Sequence, residues 1–85
     1  MVYTVEFAPR AARDFRKLPA EVRRRLSPHI DRLARNPRPH GSSKMSGPED
    51  FYRIRVGDYR IIYTIEDDRL VILVVRIAHR REVYR

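Results

Sequence analysis

The sequence contains no cysteine and no long apolar run. Without cysteine, neither disulfide bonds nor thiolate metal sites can stabilise the fold. No apolar run approaches the ~18 residues of a membrane-spanning helix, and the N-terminal segment has no apolar stretch of the signal-peptide kind. The three histidines are scattered at positions 29, 40 and 79, which does not suggest a zinc site. We therefore expect a cytoplasmic protein with no metal, no small-molecule cofactor and no membrane partner.

Acidic residues are scarce: 11 Asp and Glu stand against 19 Lys and Arg, a net charge of +8. Seventeen of the 19 basic residues are arginine, which binds phosphate through paired hydrogen bonds and stacks on bases. A genome-wide preference for arginine explains the ratio of arginine to lysine but not the net charge. That charge favours nucleic acid or an acidic protein as the partner. With 85 residues, the chain has room for a single domain, 1–85, with one modest core.

Apolar spacing predicts the element order β-α-α-β-β-β. Pro9 suits the first position of a helix, Pro19 separates this helix from a second one, and Pro28 predicts a kink in the second. The loop after the helices holds a short extended piece near Lys44. Strands are expected at 2–7, about 50–56, 59–66 and 69–77, with 82–84 as a candidate for a short last strand. The expected fold class is α+β, a small antiparallel β-sheet with an N-terminal helical hairpin packed on one face.

Residues 51–63 predict a β-hairpin closed by the two-residue turn Gly57-Asp58, with glycine where a type II′ turn needs it. This turn sets the register, so Arg55 faces Arg60 across the hairpin. Like charges directly opposite each other destabilise a sheet. The opposed arginines therefore indicate a bound anion, for which nucleic-acid phosphate is the best candidate. By alternation, the hairpin has an apolar face (Tyr52, Ile54, Val56, Tyr59, Ile61 and Tyr63) and a basic, open face (Arg53, Arg55 and Arg60).

Three features in combination resemble the RelE/ParE superfamily of bacterial and archaeal toxins, most closely its RelE branch. They are the element order, the strand pair Tyr-Arg-Ile-Arg-Val-Gly-Asp-Tyr-Arg-Ile-Ile-Tyr at 52–63, and the ending His-Arg-Arg-Glu-Val-Tyr at 79–84. The resemblance implies a toxin of a type II toxin–antitoxin system. Members of the RelE branch are ribosome-dependent endonucleases that cleave mRNA in the ribosomal A site and so inhibit translation. The implied partners are a cognate acidic antitoxin and the ribosome with its mRNA, including contacts with 16S rRNA.

The resemblance also implies the site residues. The family's two basic positions before the hairpin turn match Arg53 and Arg55, and the arginine just after the turn matches Arg60. Its last two site positions match Arg80 and Tyr84. These five residues and His79 are the catalytic candidates, and the RNA-binding candidates are Lys44, Arg53, Arg55 and Arg81.

One departure bears on the mechanism, because the founding member of the branch has lysine where this chain has Arg53 and Arg55. An arginine stays protonated and is a poor general base. Tyr84 is one candidate for the base, since nearby arginines favour its phenolate, although its ring is equally suited to stacking on an RNA base. His79 is the other, but a regular strand sends it to the face opposite Arg80.

Other interpretations stay open from the sequence alone. A ParE-type toxin binds DNA gyrase without being a nuclease, and it does not need the cluster of Arg60, Arg80 and Tyr84. A module of the same fold that binds RNA or protein without catalysis is compatible with the missing lysines. The hairpin arginines are also compatible with simple solvated positions. The run at 23–25 is typical of a solvated helix face, with ribosomal RNA contact as its functional alternative.

Overall fold

The computed structural model describes residues 2–47 and 50–81, which form two helices and a five-stranded sheet. The sheet order is β1-β5-β4-β3-β2. The predicted α+β class, the helical hairpin and the extended piece at Lys44 are confirmed, while the candidate strand at 82–84 lies outside the described residues. The elements are β1 Thr4–Phe7, α1 Pro9–Lys17, α2 Ala20–Leu33, β2 Ser43–Lys44, β3 Phe51–Val56, β4 Tyr59–Glu66 and β5 Val71–His79.

The sheet is mixed, which corrects the expectation of a purely antiparallel sheet. β1 pairs with β5 in parallel, from Thr4↔Val71 to Phe7↔Val74. The other three strand pairs are antiparallel. Alternation along β1 identifies the face that it buries, but it carries no information on the direction of the neighbouring strand. The parallel pairing therefore follows from the path of the helical hairpin and not from the pattern of β1.

Two prolines define the helical hairpin. Pro9 occupies the first turn of α1, and Leu18 at its C-terminal end is extended, at φ −74° and ψ 145°. A residue before proline is forced out of the helical region, so Pro19 ends α1 and α2 starts directly after it. α2 continues through Pro28, and the kink expected there stays a prediction. Its buried side chains recur at helical spacing and face the sheet: Leu26, Ile30 and Leu33.

The predicted register of the β3–β4 hairpin is confirmed. Arg55 pairs with Arg60, and Val56 pairs with Tyr59 beside the turn. Gly57 has φ +58°, and Asp58 is not among the residues with positive φ, as a type II′ turn requires. The apolar face of the hairpin enters the core against the helices. The fully buried sheet residues there are Ile61, Tyr63, Ile72 and Val74.

A β-bulge interrupts the pairing of β4 with β5. Tyr63 pairs with Val74 but Ile62 pairs with Arg76, so Val75 is an extra residue in β5. The bulge reverses the alternation of β5, and both Val74 and Ile77 therefore enter the core. The turn before β5 covers residues 67–70, so β5 begins at Val71 and not at the expected position 69.

The face opposite the helices carries Arg53 and Arg76 on either side of Ile62, but it is not open throughout. Ile62, Val71 and Ala78 lie on this face by alternation, and they are only 3%, 7% and 1% exposed. The expectation of an open, arginine-rich face therefore holds for part of the sheet. Within 2–47 and 50–81, neither helix has the length and apolarity that a membrane span needs.

Candidate nucleic-acid interface

Three arginines meet at the end of the sheet where β3 turns into β4. Arg55, Arg60 and Arg80 line a cleft of about 150 Å³, together with Gly57, Asp58 and Tyr59. Arg55 and Arg60 are directly opposed across the hairpin, and Arg80 follows β5 immediately. The cleft thus combines three guanidinium groups with one carboxylate. This surplus of positive charge is suited to a phosphate. We call it the arginine cleft.

The hairpin turn holds Arg80 in the arginine cleft. The backbone N–H of Arg80 donates to the carbonyl of Asp58 at 2.6 Å. The guanidinium Nη1 lies 3.5 Å from Asp58 Oδ1, and both side chains are exposed. An exposed ion pair contributes little to stability. The backbone bond therefore positions the residue, while the guanidinium is free to exchange Asp58 for a ligand oxygen.

Arg60 contains a buried hydrogen-bond donor. Its Nε is buried and has no hydrogen-bond partner in the described part of the chain. Leaving a buried donor unpaired costs roughly 1–3 kcal/mol. Arg55, directly opposite, has no acceptor to offer. An anion bound in the cleft would relieve the repulsion between the two guanidinium groups.

Arg53 and Lys44 lie outside the arginine cleft. Arg53 is on the same face as Arg55, two residues earlier in β3, and pairs with Ile62. Lys44 Nζ is 3.1 Å from a carboxylate oxygen of Asp50, and this hydrogen bond raises the pKa of Lys44. A lysine held protonated binds phosphate well but is a poor general base.

His79 lies on the far side of Tyr59 from the arginine cleft. The two rings meet edge to face, with 5.2 Å between centroids. His79 lines a separate groove of about 400 Å³ beside α1, and Tyr59 lines both this groove and the cleft. The N–H of Arg81 donates to His79 Nδ1 at 3.3 Å, which places Arg81 at the same turn. Tyr84 lies outside the described residues.

Sequence reasoning missed three residues near the arginine cleft. Tyr59 was expected only to pack, yet it also forms the wall between the cleft and the groove of His79. Asp58 was treated only as a turn residue, although its place beside Arg60 follows from the predicted register. Arg25 is different, because its guanidinium lies beside Gly57 of the hairpin turn. That contact depends on how α2 packs on the hairpin, which no local pattern predicts.

A polar network anchors the loop after α2 to the β4–β5 turn. The Tyr3 hydroxyl donates to Asp67 Oδ1 at 2.5 Å, and Arg38 Nη2 donates to Oδ2 at 3.1 Å. These two hydrogen bonds lower the pKa of Asp67. The Arg38 guanidinium also lies over the ring of Tyr52, 5.4 Å from its centroid. The network thereby fixes the start of the loop that leads to β2.

Tyr63 anchors the same loop from inside the core. Its hydroxyl donates to the carbonyl of Pro37 at 2.7 Å, and its ring stacks on Tyr52 at 5.9 Å between centroids. Burial raises the pKa of Tyr63 to about 12. Both tyrosines hold the structure together and line no part of the arginine cleft.

Comparison with known proteins identifies the family. The profile of the ParE toxin of type II toxin–antitoxin systems, parDE, matches residues 5–84. The chain belongs to this toxin family. The "mRNA interferase toxin RelE" of Escherichia coli K12 is 32% identical to the toxin over 88 residues, covering 99% of this chain and 92% of that protein. "Toxin RelG" of Mycobacterium tuberculosis is 32% identical over 89 residues, covering 100% and 99%.

Solved toxin–antitoxin complexes share the toxin's fold. The toxin resembles a chain of the RelBE2 complex of M. tuberculosis with a TM-score of 0.84 and 27% identity, over 96% of this chain and 95% of that one. It resembles a chain of the RelE–RelB complex of Pyrococcus horikoshii OT3 with a TM-score of 0.82 and 30% identity, over 98% and 100%. The predicted membership in the RelE/ParE superfamily, in a RelE-like branch, is confirmed. The protein is a type II toxin.

Proposed function

We propose that this toxin is a ribosome-dependent endonuclease that cleaves mRNA in the A site and thereby inhibits translation. The observation that carries the proposal is the arginine cleft, in which three guanidinium groups, those of Arg55, Arg60 and Arg80, meet beside a single carboxylate. The E. coli relative is named an mRNA interferase, which supports mRNA as the ligand of this cleft. The net charge of +8 suits both the message and the ribosomal RNA around it.

The chemistry we propose is attack by the 2′-hydroxyl on the neighbouring phosphate. The 2′ oxygen bonds to phosphorus and its proton passes to a base. The bond to the 5′ oxygen breaks, and an acid protonates that oxygen. The products are a 2′,3′-cyclic phosphate end and a 5′-hydroxyl end. Arg55, Arg60 and Arg80 stabilise the charge that builds on the phosphate oxygens.

The proton transfers fall to other residues, because arginine does not release its proton at neutral pH. Tyr84 is our first candidate, and His79, behind Tyr59, is the second. Arg53, Lys44 and Arg81 are assigned to binding the RNA backbone. Positioning of the nucleotide by the ribosome supplies a further share of the rate.

Two substitutions separate the candidates for proton transfer. Tyr84→Phe removes only the hydroxyl, so it slows single-turnover cleavage sharply if Tyr84 transfers a proton. If Tyr84 only stacks on a base, the phenylalanine variant is nearly silent while Tyr84→Ala is harmful. If the pH–rate profile of the parent shows a titration step near neutral pH and that of His79→Gln does not, the proton-transfer role belongs to His79.

We also propose a cognate acidic antitoxin as the toxin's partner. RelE toxins occur with RelB antitoxins in the solved complexes of relatives. An acidic segment laid over the arginine cleft neutralises its charge and blocks RNA. Expression with the neighbouring gene should relieve growth arrest and yield a co-purified complex. Equal growth with and without that gene, at matched toxin levels, speaks against the partner.

Mapping of mRNA ends on translating ribosomes tests the proposal as a whole. Purified toxin should produce cuts within A-site codons of ribosome-bound mRNA, and none in the same mRNA without ribosomes. Arg69→Gln provides a folded control, because Arg69 pairs with Glu66 and does not line the arginine cleft. Uncut mRNA in the presence of folded toxin and active ribosomes would overturn the proposal.

The matching profile is named for ParE, so gyrase is the second candidate target. A gyrase poison inhibits DNA supercoiling by purified gyrase and leaves ribosome-bound mRNA intact. The arginine cleft favours RNA over this target, because three guanidinium groups beside one carboxylate suit a phosphate. Supercoiling and cleavage assays on the same toxin preparation decide between the two.

A further inference from the structure

A second groove adjoins the arginine cleft on the side of β3 away from β4. It has a volume of about 270 Å³ and lies between α2, the loop after α2 and the free part of the β3 edge. No lining residue of this groove is acidic in the part of the chain that the structure describes. Its lining residues are His29, Arg32, Pro39, His40, Gly41, Ile54 and Arg55. We call it the histidine groove.

Arg55 connects the two sites, because it is a lining residue of both the histidine groove and the arginine cleft. β2 pairs with Tyr52 and Arg53, and within residues 2–47 and 50–81 no strand covers the edge of β3 beyond them. If Arg55 binds a phosphate of an RNA ligand, the nucleotide on one side of that phosphate can lie in the cleft and the nucleotide on its other side can lie in the groove.

The groove's side chains suit a nucleobase. His29 and Arg32 are one turn apart on α2 and thus share a face, and Arg32 Nε donates to the carbonyl of Pro28 at 3.2 Å, which orients the guanidinium. Ile54 is 7% exposed and, with Pro39, forms an apolar part of the lining. Imidazole rings and guanidinium planes are the groups on which unstacked RNA bases stack.

Hydrogen bonds hold the loop that forms one wall of the groove. The N–H of Ser42 donates to the carbonyl of Pro39 at 2.9 Å, closing a turn that presents His40 and Gly41. The hydroxyl of Tyr63 holds the same loop at Pro37. A wall fixed in this way from the core preserves the shape of the groove, as recognition of a particular base requires.

We propose that the histidine groove binds the nucleotide next to the scissile phosphate and reads its base. Arg55 holds the phosphate that joins this nucleotide to the one in the arginine cleft. His40 and Arg32 contact the base, and His29 contributes a hydrogen bond from α2. The inference rests on the proposed function, and it makes the groove a determinant of which codons the toxin cleaves. An acidic peptide is the competing occupant, and it fits less well because it makes no use of the planar, partly apolar lining.

A binding titration without ribosomes tests the inference first. The chain contains only three histidines, so the imidazole NMR signals of His29 and His40 report on the groove and that of His79 reports on a separate site. At constant pH, the four nucleoside 5′-monophosphates should shift the signals of His29 and His40 by different amounts and move His79 less. Inorganic phosphate and a hexaglutamate peptide are the comparison probes. Equal responses to all these probes would reduce the groove to a site of general positive charge and overturn base recognition.

Codon preference on ribosomes provides the second readout. Side-chain hydrogen bonds to the edge of a base contribute about 1–3 kcal/mol of discrimination between bases, so His40→Ala and Arg32→Gln, which remove such donors, should each change the ratio of cleavage between codons by about tenfold. Arg35→Gln, an exposed residue of the same charge near the end of α2, is the matched control and should leave the ratios unchanged.

The failures of the two proposals are distinguishable. Cleavage with unaltered codon ratios in both groove variants contradicts the inference but leaves the endonuclease intact. Base-dependent histidine shifts in a toxin that does not cut mRNA contradict the endonuclease but leave the groove as a nucleotide site.

Discussion

We expect removal of the Asp14 side chain to lower the free energy of unfolding substantially. Its Oδ2 accepts hydrogen bonds from Arg76 Nε and from the backbone N–H of Ile77, both at 3.0 Å. β1 ends at Phe7, opposite Val74, so among the strands that the structure describes none continues along this edge of β5 beyond the bulge. The carboxylate of Asp14 accepts the backbone hydrogen bond that a neighbouring strand would otherwise accept at this edge. It thereby connects α1 to the bulged segment of β5.

The exposure of the two side chains determines how much stability the loss of these hydrogen bonds should cost. Hydrogen bonds to a charged group contribute about 1.5–3 kcal/mol each. The side chains of Asp14 and Arg76 are 13% and 21% exposed, so water replaces part of what is lost. We expect Asp14→Ala to lower the free energy of unfolding by about 2–3 kcal/mol, which corresponds to roughly 10–20 °C in Tm for a domain of this size.

Urea and thermal unfolding of the purified toxin measure this loss. Asp14→Asn keeps one carbonyl oxygen and should show an intermediate loss. Asp31→Ala removes an exposed aspartate from the other helix and should stay within about 0.5 kcal/mol of the parent. A loss in Asp14→Ala no larger than in Asp31→Ala would refute the role assigned to the carboxylate.

Two further predictions concern the loop network. Because Tyr3 and Arg38 lower the pKa of Asp67 in the folded state, its contribution to stability is present above the unfolded pKa of about 3.9 and is lost as pH falls through the lower folded value. Unfolding curves below about pH 4 should therefore depend on pH less steeply in Asp67→Asn, and an unchanged pH dependence would exclude the effect. Tyr63→Phe removes the hydrogen bond to Pro37 and should cost about 1 kcal/mol in urea unfolding. Tyr52→Phe, whose hydroxyl only accepts a 3.4 Å bond at the surface, should be nearly silent, and equal losses in both would contradict the assignment.

The parts of the fold that sequence reasoning predicted are those determined locally. A two-residue turn with glycine at its first position sets the whole β3–β4 register, so the opposition of Arg55 and Arg60 followed from a few neighbouring residues. Pro9 and Pro19 defined the helical hairpin in the same way. Each of these features depends on backbone sterics within a few residues.

The parts that sequence reasoning missed depend on contacts between distant segments. The direction of β1 is set by β5, almost seventy residues later, and alternation is the same in both orientations. The bulge at Val75 is stabilised by Asp14 of α1, which no pattern within β5 reveals. The histidine groove likewise requires α2 and the loop after it to pack beside Arg55.

Single-turnover cleavage of mRNA on programmed ribosomes by Arg60→Gln tests the central claim most directly. The substitution keeps a polar side chain but removes the guanidinium that Arg60 contributes to the arginine cleft. Loss of one such pre-organised donor should slow the chemical step by about 10²–10³, with ribosome affinity nearly unchanged and with Arg69→Gln cutting at the parent rate. Cleavage by Arg60→Gln at the rate of the parent toxin would contradict the assignment of the arginine cleft as the catalytic site.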